Sequence, residues 1–236
     1  MDNSGYVTLT RQSGLMAEMQ AVAHNIANLS TTGYRREGVI FSEFVAGTGE
    51  ASLSMARAHG RSLSDLPGAL ARTGGSYDFA IDGPGFFLVE TPGGPRLTRA
   101  GAFFPDPAGA LVTADGHTLL DAGGAPVFVP ADGGEITLGP DGTLAADGVP
   151  VAQVGLWQPA DPAGLRHEAG VLFDAPDGVE PLIDGRMVQG ALEGSNVEPV
   201  TEVARMIAVQ RAYELGQSLL DREDERIRNV IRTFAR

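Results

Sequence analysis

Where this chain keeps its helix breakers constrains it most. Of its 32 glycines, 28 lie between Tyr34 and Glu198, and only Gly5, Gly14, Gly33 and Gly216 lie outside that stretch. The first proline is Pro67, and Pro199 alone falls beyond Glu198. Glycine and proline stop helices and make turns, so both ends are free to form long helices while the middle is cut into short elements. The expected order is helix, β-rich middle, helix.

Both ends carry helical periodicity. Leu15, Met19, Val22, Ile26 and Leu29 recur at spacings of four, three, four and three, one narrow stripe of the coiled-coil kind. That helix is expected to end near Leu29, where Ser30, Thr31, Thr32 and Gly33 favour a turn. At the other end Val203, Met206, Gln210, Tyr213, Gln217, Leu220, Asp224, Ile227, Ile231 and Phe234 keep heptad spacing. A helix from about Pro199 to Phe234 spans roughly 54 Å at 1.5 Å per residue. Polar residues in such a seam weaken it but fix register and partner choice. Pro199 is tolerated in the first turn, with Asn196 the expected cap.

The middle changes period. Phe86 to Val89, Ala110 to Thr113, Val127 to Val129 and Glu135 to Leu138 are short runs rich in β-branched and aromatic residues, and so read as strands. Asp-Gly pairs at 82, 115, 132, 141, 147, 177 and 184 separate them, and such pairs favour the positive φ of tight hairpins. The fold class expected is α+β: an all-β domain over 73–198, inserted between terminal helices at 1–30 and 199–236 that pair as a coiled coil. Residues 31–72, with Phe41 to Val45 apolar and Gly47, Thr48, Gly49, Ala51 and Ser52 small or polar, read as an extended connector.

Charge and composition exclude several functions. Seventeen basic residues, all arginine, face thirty acids, for a net charge of −13. Residues 1–36 carry two acids and three arginines and 199–236 carry six and seven, so each end is +1 and the middle −15. Such a surface repels nucleic acid and anionic lipid. Without cysteine there is no disulfide, thiolate metal site or cysteine nucleophile. No basic and apolar leader opens the chain, and no apolar run reaches the length of a membrane span. His24, His59, His117 and His167 are too scattered to form a metal site, and the phosphate loops, nucleophile elbow and calcium-loop pattern are missing. No catalytic residue, metal, cofactor or small-molecule substrate is expected.

A helix of about 24 residues is too short to cover a seam of about 36. Further copies of the chain are the simplest cover, and a contact whose rotation does not close makes a filament. The rival readings are a trimeric fibre of the phage-tail or adhesin type and a glycan-processing enzyme with acids in a cleft; the sequence has no positive sign of either.

Three motifs carry a specific resemblance. The segment Ala23-His24-Asn25-Ile26-Ala27-Asn28-Leu29-Ser30-Thr31-Thr32-Gly33-Tyr34-Arg35-Arg36 resembles the N-terminal signature of the flagellar rod and hook family. Asp78 to Phe87, with Thr98 to Phe103 after it, is similar to the first strands of that family's β domain. Gly190 to Val197, followed by Met206-Ile207 and Gln210-Arg211-Ala212-Tyr213-Glu214, resembles its C-terminal helix entry. His24 stands where the family usually has asparagine.

The resemblance implies a structural, non-enzymatic axial subunit of the bacterial flagellum. Its terminal helices would form a D0-like domain and its β insert a D1-like domain. Short length and a single β domain place it nearest the proximal-rod type, with the distal-rod type as the alternative. The family implies self-assembly with itself and other axial proteins, type III export without a cleaved signal, and a place in the periplasmic rod of the basal body that serves motility. The residues expected at subunit interfaces are Leu15, Met19, Val22, Asn25, Ile26, Asn28, Gly33, Tyr34, Gly194, Ser195, Asn196, Met206, Ile207, Gln210, Arg211 and Tyr213. Gly33 is expected as a left-handed cap, Tyr34, Arg35 and Arg36 as a clamp on the connector, and Gly194, Ser195 and Asn196 as the turn into the long helix.

Overall fold

A computed structural model describes residues 3–48, 51–130 and 134–234. The chain forms two compact units, one of Met1–Ala27, Glu37–Ser64 and Glu198–Arg236, the other of Asn28–Arg36 and Asp65–Val197.

The first unit holds both long helices. Helix α1 spans Asn3–Ala27, and α2 spans Pro199–Phe234. Helix α1 stops two residues before Leu29, in a turn where Thr31 N–H donates to Asn28 O. The two helices run antiparallel, because residues near the end of one meet residues near the start of the other. Glu18 pairs with Arg205 at 2.8 Å, and Gln12 Nε2 donates to Tyr213 O at 3.1 Å. The face that α1 turns inward is Thr8, Gln12, Leu15, Met19, Val22 and Ile26, all buried or half-buried, which extends the expected stripe two positions towards the N-terminus.

On α2 the expected heptad is displaced. Met206, Tyr213 and Leu220 are half-buried, but Val203, Gln210, Gln217 and Asp224 are exposed, and the buried positions Glu202 and Val209 lie one residue earlier, in line with the half-buried Gly216. Spacing by large side chains misplaced the seam because its centre holds small or charged residues. A Cβ on Gly216 would lie 2.6 Å from Gln12 Nε2, so this glycine lets the helices close up.

The stretch expected as an extended connector is extended, and most of it pairs with itself. Strands β1 (Glu37–Thr48) and β2 (Ala51–Leu63) form a long antiparallel ribbon, from Glu37 opposite Leu63 to Thr48 opposite Ala51, with one bulge after Ile40. An isolated ribbon is marginal in water, and this one lies against α1, whose Gly14 makes room for it: a Cβ there would come within 2.7 Å of the Phe41 ring. The ribbon thus belongs with the helices and not with the β domain. Gly49 lies outside the described residues.

The second unit is the β domain. Strands β3 (Leu70–Arg72), β4 (Phe79–Asp82), β5 (Phe87–Thr91) and β6 (Gly94–Thr98) begin it. A seven-stranded sheet runs Arg166–His167, Leu172–Asp174, β6, β5, Thr118–Leu119, Leu111–Val112 and Phe104–Pro105, antiparallel throughout. Small two- and three-stranded sheets complete the unit, β4 pairing with Arg186–Gln189 and β3 with Ala191–Glu193. Phe79, Phe87, Phe103, Leu111, Leu119 and Leu144 form the core and are essentially solvent-free. Phe87 and Phe103 meet edge to face at 5.5 Å, the arrangement aromatic quadrupoles prefer. The run Val127 to Val129 buries both valines and bonds to segments on two sides, with Leu111 N–H donating to Val127 O, Val127 N–H to Leu119 O and Val129 N–H to Gly109 O.

Turn chemistry follows the Asp-Gly signal. Asp147 and Gly148, at φ 48° and 76°, close the two-residue hairpin between Thr143–Ala146 and Val149–Gln153, as a primed turn requires. Two Thr143 hydrogen bonds onto its carboxylate hold the Asp141 pKa below its ordinary value. The pair at 132 lies outside the described residues.

Candidate assembly site

Within the helical unit, Asn25 is the pivot. It is 1% exposed. Its Nδ2 donates to Glu37 O at 2.9 Å, and its Oδ1 accepts from Glu37 N–H at 2.9 Å, so the side chain pairs with the start of β1 as a neighbouring strand would. The same Nδ2 donates to Glu202 Oε2 at 3.1 Å in the first turn of α2. One amide therefore ties α1, the ribbon and α2 together beside two buried carboxylates, Glu37 and Glu202; Arg61 on β2 meets Glu37 at 3.1 Å. Burying a carboxylate costs free energy unless it is bonded, so the arrangement holds only with each partner in place. Replacing Asn25 with alanine is expected to lower stability by about 2–3 kcal/mol, since buried groups left unsatisfied cost about 1–3 kcal/mol each; thermal unfolding followed by helical circular dichroism measures it.

The β unit has a second cluster at the segments by which the chain enters and leaves it. Glu193, 1% exposed, accepts from Gly68 N–H at 2.9 Å and meets Arg35 at 3.3 Å through Oε1, and accepts from Arg99 Nη1 at 2.9 Å through Oε2. Its backbone carbonyl accepts from Gly33 N–H at 2.7 Å. Arg35 donates to Leu66 O at 2.5 Å. Arg99 donates to Gly83 O at 2.8 Å and lies over the Phe86 ring at 5.2 Å. Burial pulls the pKa values of both Arg35 and Arg99 below the ordinary guanidinium value, against the Glu193 carboxylate, which raises them.

Asn196 completes this clamp. Its Oδ1 accepts from Arg36 N–H at 2.6 Å, its Nδ2 donates to Leu66 O at 2.7 Å, and its own N–H donates to Tyr34 O at 3.3 Å. It does not cap α2, because the helix starts later, at Pro199; its amide joins three segments of the β unit instead. Gly33 sits at φ 73°, and Tyr34 packs its fully buried ring edge-on to His167 at 5.7 Å.

The expected interface residues thus fall into three groups. Leu15, Met19, Val22, Asn25, Ile26, Met206 and Tyr213 lie on the inner faces of the helical unit, buried or half-buried. Asn28, Gly33, Tyr34, Gly194, Ser195 and Asn196 belong to the β unit, where Asn28 Oδ1 accepts from Thr31, Gly194 N–H donates to Ala69 O, and Ser195 Oγ accepts from Val197 N–H. Ile207, Gln210 and Arg211 are exposed on α2. Because Gln210 faces solvent, Gln210→Leu is expected to change the stability of the single chain by no more than about 0.5 kcal/mol, read from its urea midpoint. Glu37 and Glu202 carry the first cluster without having stood out in the sequence, while Glu193 and Arg99 lie inside the resembling motifs but were not among the residues expected at interfaces.

Among the described residues no group of three histidines or acids comes together to hold a metal, and no helix is long and apolar enough to cross a membrane.

Comparison with known proteins agrees with this architecture. Residues 188–233 match the model of the flagellar basal body rod FlgEFG protein C-terminal, and residues 80–146 that of the flagellar hook protein FlgE/F/G D1 domain. The chain is 38% identical over 223 residues to the flagellar basal-body rod protein FlgF of Mesorhizobium japonicum, covering 93% of this chain and 92% of that protein. It is 36% identical over 241 residues to FlgF of Caulobacter vibrioides, covering 98% and 97%. Against the rod protein FlgG of Bacillus subtilis the identity is 26% over 260 residues, covering 98% of each.

Proposed function

Since the chain belongs to the flagellar basal-body rod protein family, we propose that it joins the rod through α1 and α2, pairing as a D0-like coiled coil, while the β unit supplies the D1-like wall. It is a structural subunit of the bacterial flagellar basal body and not an enzyme. The higher identity to FlgF than to FlgG favours the FlgF-type place, which the family resemblance puts in the proximal rod.

The observation that carries the assembly reading is the apolar surface of the helical unit. Val203 (48%), Ile207 (45%), Leu215 (72%), Ile227 (48%) and Ile231 (61%) stay exposed on α2 even with α1 packed on it. An isolated helix keeps such residues in water only at a cost, which further copies of the chain and other axial proteins remove. Of the expected interface residues, Ile207, Gln210 and Arg211 are the ones placed to meet a neighbour directly. The others act within each unit, holding the helices or the entry and exit segments of the β unit in the shape a neighbour meets. Delivery by the type III export apparatus, without signal cleavage, to the periplasmic rod belongs to the same reading.

The test is deletion of the gene in its host, with basal bodies examined by electron microscopy. Loss of the rod beyond its base, restored by the intact chain and not by one lacking 200–236, supports the reading. A normal rod in the deletion strain overturns it.

A further inference from the structure

The β unit holds a hollow that the assembly reading leaves without a use. It encloses about 390 Å³, inside the range of about 300–1,000 Å³ usual for small-ligand sites. Pro84, Phe86, Pro159, Pro162 and Leu165 make its apolar walls, and all its lining residues belong to the β unit. Rigid backbone shapes those walls. Proline fixes its own φ, Gly85 takes φ 102° beside Pro84, and Pro162–Gly164 form one short turn at whose start Asp161 Oδ1 accepts from Ala163 N–H at 2.9 Å. Phe86 is held at both ends: its N–H donates to Trp157 O at 2.8 Å, and its ring meets that of Phe173 edge to face at 5.5 Å. A hollow built this way stands before any ligand arrives, which removes an ordering cost from binding.

Charge is separated along the hollow. Arg35 and Arg99 line its deep end, 4% and 3% exposed, while Asp65 and Glu180, both exposed, line its mouth. Behind the two guanidinium groups stands the one buried carboxylate of Glu193. Burial and the neighbouring Arg35 charge both lower the pKa of Arg99. The Nε of Arg99, a buried donor, has no hydrogen-bond partner among the described residues. Such a donor costs free energy until an acceptor reaches the guanidinium. A simple anion that could supply one is repelled at the mouth by Asp65 and Glu180, and a simple cation is repelled at the deep end by the arginines. A ligand with an anionic group inward, an apolar body and a cationic group outward suits all three zones.

We propose that this hollow binds a short peptide with both ends free. Its terminal carboxylate lies towards Arg99 and Arg35, its last side chain, an apolar one, packs on Phe86 and Leu165, and its ammonium group lies between Asp65 and Glu180. Guanidinium groups are the donors best matched to a carboxylate. Arg99 spends one Nη1 hydrogen on Glu193 and one Nη2 hydrogen on Gly83 O, and a guanidinium has five N–H donors in all. Because the hollow lies within one unit, a single chain suffices to bind the peptide, whatever its neighbours in the rod.

The test titrates the isotope-labelled full-length chain with alanyl-alanyl-leucine, followed by amide NMR and by calorimetry. Saturable shifts are expected at the amides of Phe86, Arg99, Gln158 and Leu165, with a millimolar or tighter Kd. The same peptide amidated at its C-terminus is expected to bind about tenfold more weakly, because it gives up a charge-assisted pair, and the N-acetylated peptide about threefold more weakly. Glu180→Gln is expected to weaken the free peptide about threefold and to leave the acetylated one unchanged. Ala160→Trp, an exposed change at the mouth, is expected to abolish binding with the circular dichroism spectrum unaltered. Absence of saturable shifts at these amides, or equal affinity for the free acid and the amide, overturns the proposal. Undiminished binding to a folded Ala160→Trp chain overturns it as well, because the peptide then sits elsewhere.

Discussion

Glu193→Ala is expected to lower the stability of the β unit by about 3–5 kcal/mol, because it removes the one carboxylate set between two buried guanidinium groups. Arg35 and Arg99 are 4% and 3% exposed, so neither charge recovers its hydration when the partner goes. The backbone N–H of Gly68 loses its acceptor as well. Trp157 is the sole tryptophan of the chain and lies in this unit, 9% exposed, so its fluorescence in a urea titration reads the unit directly. Glu193→Gln keeps an acceptor for Gly68 but not the charge, and its midpoint is expected between those of the natural chain and the alanine variant. A midpoint for Glu193→Ala within error of the natural one shows that the cluster does not hold the entry and exit segments of the β unit together.

Gly33→Ala is the other large loss, of about 3–5 kcal/mol in the same titration. An L side chain at φ 73° costs about 1–2 kcal/mol in the left-handed region. The larger part is steric: the added Cβ would lie 2.3 Å from Ala100 N and 2.4 Å from Arg99 C. Those are backbone atoms, so the overlap is relieved only by moving the chain, and overpacking of this kind costs about 1–3 kcal/mol or more. Gly74→Ala separates the two contributions, because Gly74 has nearly the same φ, 75°, with nothing within 4 Å of its missing Cβ. It is expected to lose only the conformational part. Equal losses at the two positions refute the steric explanation of Gly33.

The parts of this protein that were legible in its sequence are those decided by local chemistry. Segregated glycine and proline marked out helix, β domain and helix, and the described Asp-Gly pairs place glycine at positive φ in all but one instance, at Gly83, Gly116, Gly142, Gly148 and Gly178. The α1 stripe was legible because Leu15, Met19, Val22 and Ile26 are all large and apolar. The α2 seam was not, because its inner face is centred on Glu202, Val209 and Gly216, and neither a glutamate nor a glycine scores as a seam residue. The ribbon of β1 and β2 was missed for a related reason. Its residues are small and mixed, and what makes it a ribbon is a partner strand and a notch at Gly14, neither of which local spacing records.

The motif residues show the same division. Asn25, Gly33, Tyr34 and Asn196 were identifiable as residues that matter, since each sits in a segment with a specific pattern. Their work was not identifiable. Asn25 satisfies the edge of a strand and a buried carboxylate at once, and Asn196 clamps three segments where a helix cap was expected. Composition, turn chemistry and periodicity act over a few neighbouring residues, so the sequence by itself determined the element order, the turns and the family. Which carboxylate is buried, which asparagine faces it and which helical face stays in water depend on groups more than a hundred residues apart, as Asn25 is from Glu202. Those contacts exist only once the chain has closed on itself, and the tertiary structure alone decided them.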